Sequence, residues 1–307
     1  MKYNDMQMNI IFEKYIKFVD DLPYNYINNI KNLLYIIVPA FVLKYGLDNE
    51  RTILNTFRDV RILIKEGSNK KVQAFYKSIP IKDDDESIVL HKFIVLQNYH
   101  DNSLVELLDN LVHEYNHALN SENNEITYNE NIMLVRTGLS YIRYDKNTLD
   151  FISKDNNYIL EEILNTKETE EIINIIHTFI NYKFDNKKIN TALYFIDNHI
   201  KDKYSSESYK LETFFTKELT SNRTFMSTLS SLRIKGSIED IEYWFDNITG
   251  IKGSYKNLVD IIIKTTDIKN KEPKWVFGKN KWKRQINELY RNALDIISTF
   301  NNNCNYK

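Results

Sequence analysis

At 307 residues the chain can bury a large core in two modest lobes, and its 42% apolar and 27% charged residues are ordinary for a folded protein. Only 7 Gly and 4 Pro argue against a loop-rich β architecture, so helix should dominate. Lys plus Arg at 41 against Asp plus Glu at 42 leave a net charge of −1, which excludes global attraction for nucleic acid or an anionic membrane; the single Cys304 excludes an intrachain disulfide and a cysteine zinc cage.

The first twenty residues mix Asp5, Glu13, Lys14 and Lys17 among apolar ones, unlike a secretion signal. From Asn9 to Phe57 the apolar spacing of Ile10, Phe12, Tyr15, Ile16 and Val19 and its continuation predict two or three amphipathic helices. The most apolar stretch, Leu33 to Leu43, contains Pro39 and is about half the length a membrane-spanning helix needs, so it reads as a buried helix of a soluble, cytoplasmic protein without a membrane partner.

Three β-rich runs follow, Val60 to Lys65, Val72 to Ile79 and Ile88 to Gln97, separated by Glu66-Gly67-Ser68-Asn69 and by the acidic turn Asp83 to Glu86. They predict a small, mostly antiparallel sheet. Ser103-Leu104-Val105-Glu106 then matches a capping box, which starts a helix at Leu104 running to about Leu119. Met133 to Tyr144, with Gly138 inside it, reads as a strand pair or a bent strand. From Tyr158 the pattern is helical almost to the end, with Ser237 before one helix and Gly250 after it. Lys269 to Gly278 reads as an exposed connection before a last helix from Trp282 to Phe300. The fold class is therefore α+β, with a helical segment 1–58, an α/β lobe 59–125 and a mainly helical lobe 126–307.

The chemistry concentrates in His113-Glu114-Tyr115-Asn116-His117. Residues at i and i+4 share a helix face, so His113 and His117 can offer two imidazole nitrogens to one Zn²⁺. Glu114 stands beside the metal without being a ligand and can act as general base toward water. A catalytic zinc takes three protein ligands. The metzincin solution is disfavoured, because Asn120 and Asn123 stand where that group has a glycine and a third His. Leu160-Glu161-Glu162, in an apolar helical pattern, offers a carboxylate instead.

These residues resemble the gluzincins, zinc peptidases that add a glutamate from a second helix to the His-Glu-x-x-His helix. The resemblance covers the strand Ile88 to Gln97, the helix ending near Leu119 and the Leu160-Glu161-Glu162 helix. With Asn165 three positions on, it implies Glu162 as third ligand, Glu161 being the alternative. Thr166 departs from it, standing where a second acid often orients a zinc-bound His. It further implies a zincin-like fold, one Zn²⁺ per chain and a peptide or protein substrate lying along Ile88 to Gln97 as the edge strand. A Tyr or His of the C-terminal lobe would stabilise the oxyanion, with Tyr194, His199 and Tyr255 in suitable order. His91, His100 and His177 are not expected to be ligands.

The alternative to a hydrolase is a zincin-fold binding, sensor or toxin-like protein, non-catalytic or gated. A weaker one is nucleic-acid contact through Lys269, Lys271, Lys274, Lys279, Lys281, Lys283 and Arg284 around Trp275 and Trp282. A basic surface anchored by two tryptophans is the simpler reading. The oligomeric state is left open.

Overall fold

The computed structural model describes residues 3–24, 26–66, 74–97, 99, 103–121, 126–155, 157–199, 218, 221–235, 238–271, 273 and 276–304. Helix α1 (Asp5–Asp20) starts on a capping box in which Asn4 Oδ1 accepts the Gln7 N–H and Gln7 Oε1 accepts the Asn4 N–H. It buries Met8, Phe12, Tyr15, Ile16 and Val19 and leaves Ile10 66% exposed. Helix α2 (Asn28–Tyr45) is buried from Leu33 through Val42, Pro39 included, and α3 (Glu50–Asp59) follows. Among the described residues no single helix is long and apolar enough to cross a membrane.

Strands β1 (Val60–Lys65), β2 (Ala74–Lys82) and β3 (Ile88–Gln97) form a sheet of order β1-β3-β2. β1 runs parallel to β3 and β2 antiparallel to it, so this sheet is mixed. The expectation that Ile88 to Gln97 is the edge strand is overturned: β3 is central and β2 is an edge. The reason is legible in composition. β3 is apolar on both faces, as a central strand is, whereas β2 carries Pro80, which has no N–H for a ladder. Tyr76 N–H points away from β3, and alternate residues share that direction, so the proline nitrogen falls on the unladdered side.

Helix α4 (Leu104–Asn120) starts as expected at Ser103, whose Oγ accepts the Glu106 N–H while Glu106 Oε2 accepts the Ser103 N–H at 2.7 Å. Beyond it, strands β4 (Ile126–Asn129), β5 (Ile132–Thr137), β6 (Ser140–Asp145) and β7 (Phe151–Lys154) form a four-stranded antiparallel meander. The predicted strand pair is β5 and β6. The flanking β4 and β7 are only four residues each and largely exposed, too short to carry an alternation signal.

The remaining described elements are helices: α5 (Tyr158–Phe179), α6 (Lys187–His199), α7 (Arg223–Lys235), α8 (Ile238–Thr249), α9 (Ser254–Asn270) and α10 (Val276–Cys304). The last helix starts earlier than its sequence suggests, so Lys279, Lys281, Lys283 and Arg284 sit on a helix rather than in a connection. Trp282 Nε1 donates to Ile268 O at 2.7 Å and ties α10 to α9. Lys274 and Trp275 lie outside the described residues.

The chain divides into two compact units, Met1–Glu122 with Glu168–Ser205, and Asn123–Lys167 with Ser206–Lys307. The first has its core among α1, α2 and α3 and the buried face of α4, including Phe57 stacked on Tyr115 with ring centroids 4.1 Å apart. The second packs Leu139, Leu160, Ile163 and Leu164 with Phe225, Phe245, Phe300 and neighbouring apolar residues of α7 to α10. Helix α5 is one continuous helix whose residues are shared between the two.

Candidate metal centre

On α4, His113, Asn116, His117 and Asn120 recur at i, i+3, i+4 and i+7, the spacing of a core-facing stripe. This stripe is polar, yet Asn116, His117 and Asn120 are buried and His113 is half-buried. His113 Nε2 and His117 Nε2 are 3.2 Å apart, with ring centroids at 4.8 Å and rings inclined by 81°. Glu162, half-buried on α5, completes a group whose ligand atoms all lie within 4.8 Å of one another.

This donor set fits a metal ion. With metal–nitrogen bonds of about 2.0–2.1 Å, a 3.2 Å nitrogen separation subtends roughly 100–105° at the ion, close to the tetrahedral angle. Two imidazoles and one carboxylate are donors of the kinds that hold zinc.

Glu114 is 6% exposed and lies outside the ligand group. Its Oε2 accepts the backbone N–H of Tyr76 on β2 at 2.6 Å, which ties that strand to the helix carrying both imidazoles. Glu161, the alternative ligand, is engaged elsewhere. It is 1% exposed; its Oε2 accepts Arg233 Nε at 3.1 Å and the Leu139 N–H at 2.9 Å, and its Oε1 accepts Arg233 Nη2. Adjacent helix residues diverge by about 100°, so only one of the two glutamates can face the imidazoles. Arg136 extends the same knot, with Nε donating to Gly138 O at 2.9 Å and Nη2 to Arg233 O at 3.0 Å.

The two tyrosines picked out for oxyanion support are placed very differently. Tyr194 is 67% exposed on α6. Tyr255 is buried in the core of α7 to α10, and burial, followed by the nearby Glu242 and Glu161 charges, pushes its phenol well above the usual range. Its hydroxyl has no hydrogen-bond partner among the described residues. The His199 side chain and His100 lie outside the described residues. His177 is on α5 outside the ligand group, and its burial lowers its pKa.

A second buried polar cluster on α4 and α5 went unread in the sequence. Asn116 Nδ2 donates to Glu168 Oε2 at 3.0 Å, and Asn116 Oδ1 accepts from the Tyr45 hydroxyl at the end of α2. Lys44, next to Tyr45, pairs with Glu171 on α5. The available signal was the spacing: Glu161, Asn165 and Glu168 on α5 recur at i, i+4 and i+7, as a buried stripe would.

No protein-family model, curated protein or solved structure matches this chain.

Proposed function

We propose that the chain is a zinc-dependent peptide hydrolase built on a zincin-like arrangement, with His113, His117 and Glu162 holding one Zn²⁺ and Glu114 acting as general base. The observation that carries this reading is the convergence of two imidazoles and one carboxylate within 4.8 Å, with a further buried carboxylate one residue along the same helix. Zinc bound there supplies Lewis acidity that polarises a carbonyl and makes water a stronger acid.

The chain's own residues supply the proton transfer. The Tyr76 N–H bond orients the Glu114 carboxylate, which receives a proton from the attacking water. Water oxygen bonds to the carbonyl carbon, the carbon–nitrogen bond breaks, and the proton passes from Glu114 to the departing nitrogen. An extended substrate would pair along β2, an edge strand of the sheet.

One observation favours a second reading, a gated or non-catalytic binding protein. The same Tyr76 N–H bond occupies one oxygen of Glu114, so a water must share that carboxylate with the strand.

Elemental analysis of wild type and Glu114→Gln, followed by a peptide-library cleavage assay, tests both readings. One zinc per chain in each protein, with hydrolysis lost only in the variant, supports the hydrolase, because the substitution removes the base and keeps both imidazoles. Zinc without hydrolysis in wild type favours the second reading. A folded wild type that takes up no zinc overturns both.

A further inference from the structure

Helix α5 buries carboxylates where an ordinary helix would bury leucine. Glu161 and Glu168 are both 1% exposed, and between them Asn165 is wholly buried. Removing charges from water is costly, and well-packed apolar side chains generally serve stability as well or better. The arrangement of their partners shows what two buried carboxylates can provide that leucines cannot.

Each is held by directional bonds. Glu161 accepts three donors from two sources, the Arg233 guanidinium and the Leu139 N–H. Gly138 makes room for this carboxylate: a Cβ there would stand 2.5 Å from Glu161 Oε1 and nearer still to Oε2, so the turn and the glutamate fit only with glycine at that position. Glu168 accepts from Asn116, which is itself fixed by Tyr45 and lies beside His117 on α4. Seven residues separate the two glutamates, two turns of helix, so they lie on one face. Two grips on one face, about 10 Å apart, fix both the rotation and the axial position of α5.

Glu162 is the residue whose placement depends on that rotation. Its carboxylate lies on the order of 6 Å from the helix axis, so a 20° turn of α5 would move it by roughly 2 Å. Metal–ligand distances are held to about ±0.2 Å, so such a turn would remove the ligand.

We propose that Glu161 and Glu168 are positioning residues that lock the rotation of α5 and thereby hold Glu162 at the metal. The proposal rests on the reading of His113, His117 and Glu162 as a metal site. It contains no catalytic role for either glutamate.

The test is zinc affinity of the full chain, measured by competition with a chromophoric chelator, for Glu161→Gln, Glu168→Ala and Glu168→Gln, each alone and combined with Glu162→Ala. Glu161→Gln presents an amide N–H₂ to one of three donors, and Glu168→Ala removes the Asn116 partner; each weakens zinc by about 10–100-fold, as loss of supporting partners does. Glu168→Gln keeps an oxygen for Asn116 Nδ2 and stays within about threefold of wild type. In the Glu162→Ala background the same substitutions produce no further loss, because the ligand through which they act is gone.

Far-UV circular dichroism and melting of the metal-free proteins confirm folding; should Glu161→Gln not fold, the two Glu168 variants carry the test. Wild-type affinity in Glu161→Gln and Glu168→Ala, or equal weakening with and without Glu162, overturns the positioning role while leaving the metal site standing. Absence of zinc binding by wild type overturns the metal site itself, and the proposal with it.

Discussion

Gly138→Ala is the substitution whose cost the structure defines most sharply. Two effects add. Gly138 sits at φ +56°, and an L-residue in the left-handed region costs roughly 1–2 kcal/mol. The new Cβ would also fall 2.5 Å from Glu161 Oε1, and Glu161 cannot retreat without leaving Arg233, which is 0% exposed. Breaking a buried ion pair costs about 3–5 kcal/mol, because the partner charge is left without compensation. The expected loss is about 4–7 kcal/mol, a large share of the 5–15 kcal/mol that typically separates folded from unfolded chains.

Gly250→Ala supplies the control. Gly250 has φ +72°, but a Cβ there would meet nothing within 4 Å, so only the backbone cost of about 1–2 kcal/mol applies. Urea denaturation of both metal-free variants, followed by circular dichroism, measures the difference. Equal losses in the two would refute the claim that Glu161 is rigidly held. A Gly138→Ala loss near 1–2 kcal/mol would do the same.

Other consequences follow from buried and charged groups. Asp246 is partly buried, which alone would raise its pKa, but donors from Tyr255 N–H, Gly253 N–H and Ser254 outweigh this and lower it below 3.8. Its stabilisation is therefore fully present above that value and fades as pH falls through the lower folded pKa. Asp246→Ala should cost about 1 kcal/mol at pH 7, as loss of a capping side chain does, and progressively less in acid, measured by urea midpoints. On α1, Phe12→Ala should cost about 3–5 kcal/mol, whereas Ile10→Ser, on the exposed side, should change stability by no more than about 0.5 kcal/mol. Similar losses at the two positions would contradict the burial assigned to this helix.

The sequence was most informative where a local rule acts within a few residues. Ser103 and Glu106 announce the start of α4 because a capping box is satisfied inside one turn. His113 and His117 announce a shared ligand face because the i, i+4 relation belongs to any helix, folded into a protein or not. The β1 and β3 limits were equally readable, being runs of β-branched and aromatic residues between turn signals.

What the sequence left open required distant residues to meet. Strand order did: β3 is central and β2 lies at the edge because β1 returns parallel to β3, a pairing that no run of residues encodes by itself, although Pro80 hinted at it. The choice between Glu161 and Glu162 also did, because it turns on the rotation of α5. That rotation brings Glu162 to the imidazoles and commits Glu161 to Arg233, far away in the chain. Local propensity made the helices and put the candidate ligands on them. Only the packing of those helices, with buried carboxylates meeting arginine and asparagine partners, decided which of two adjacent glutamates faces the imidazoles.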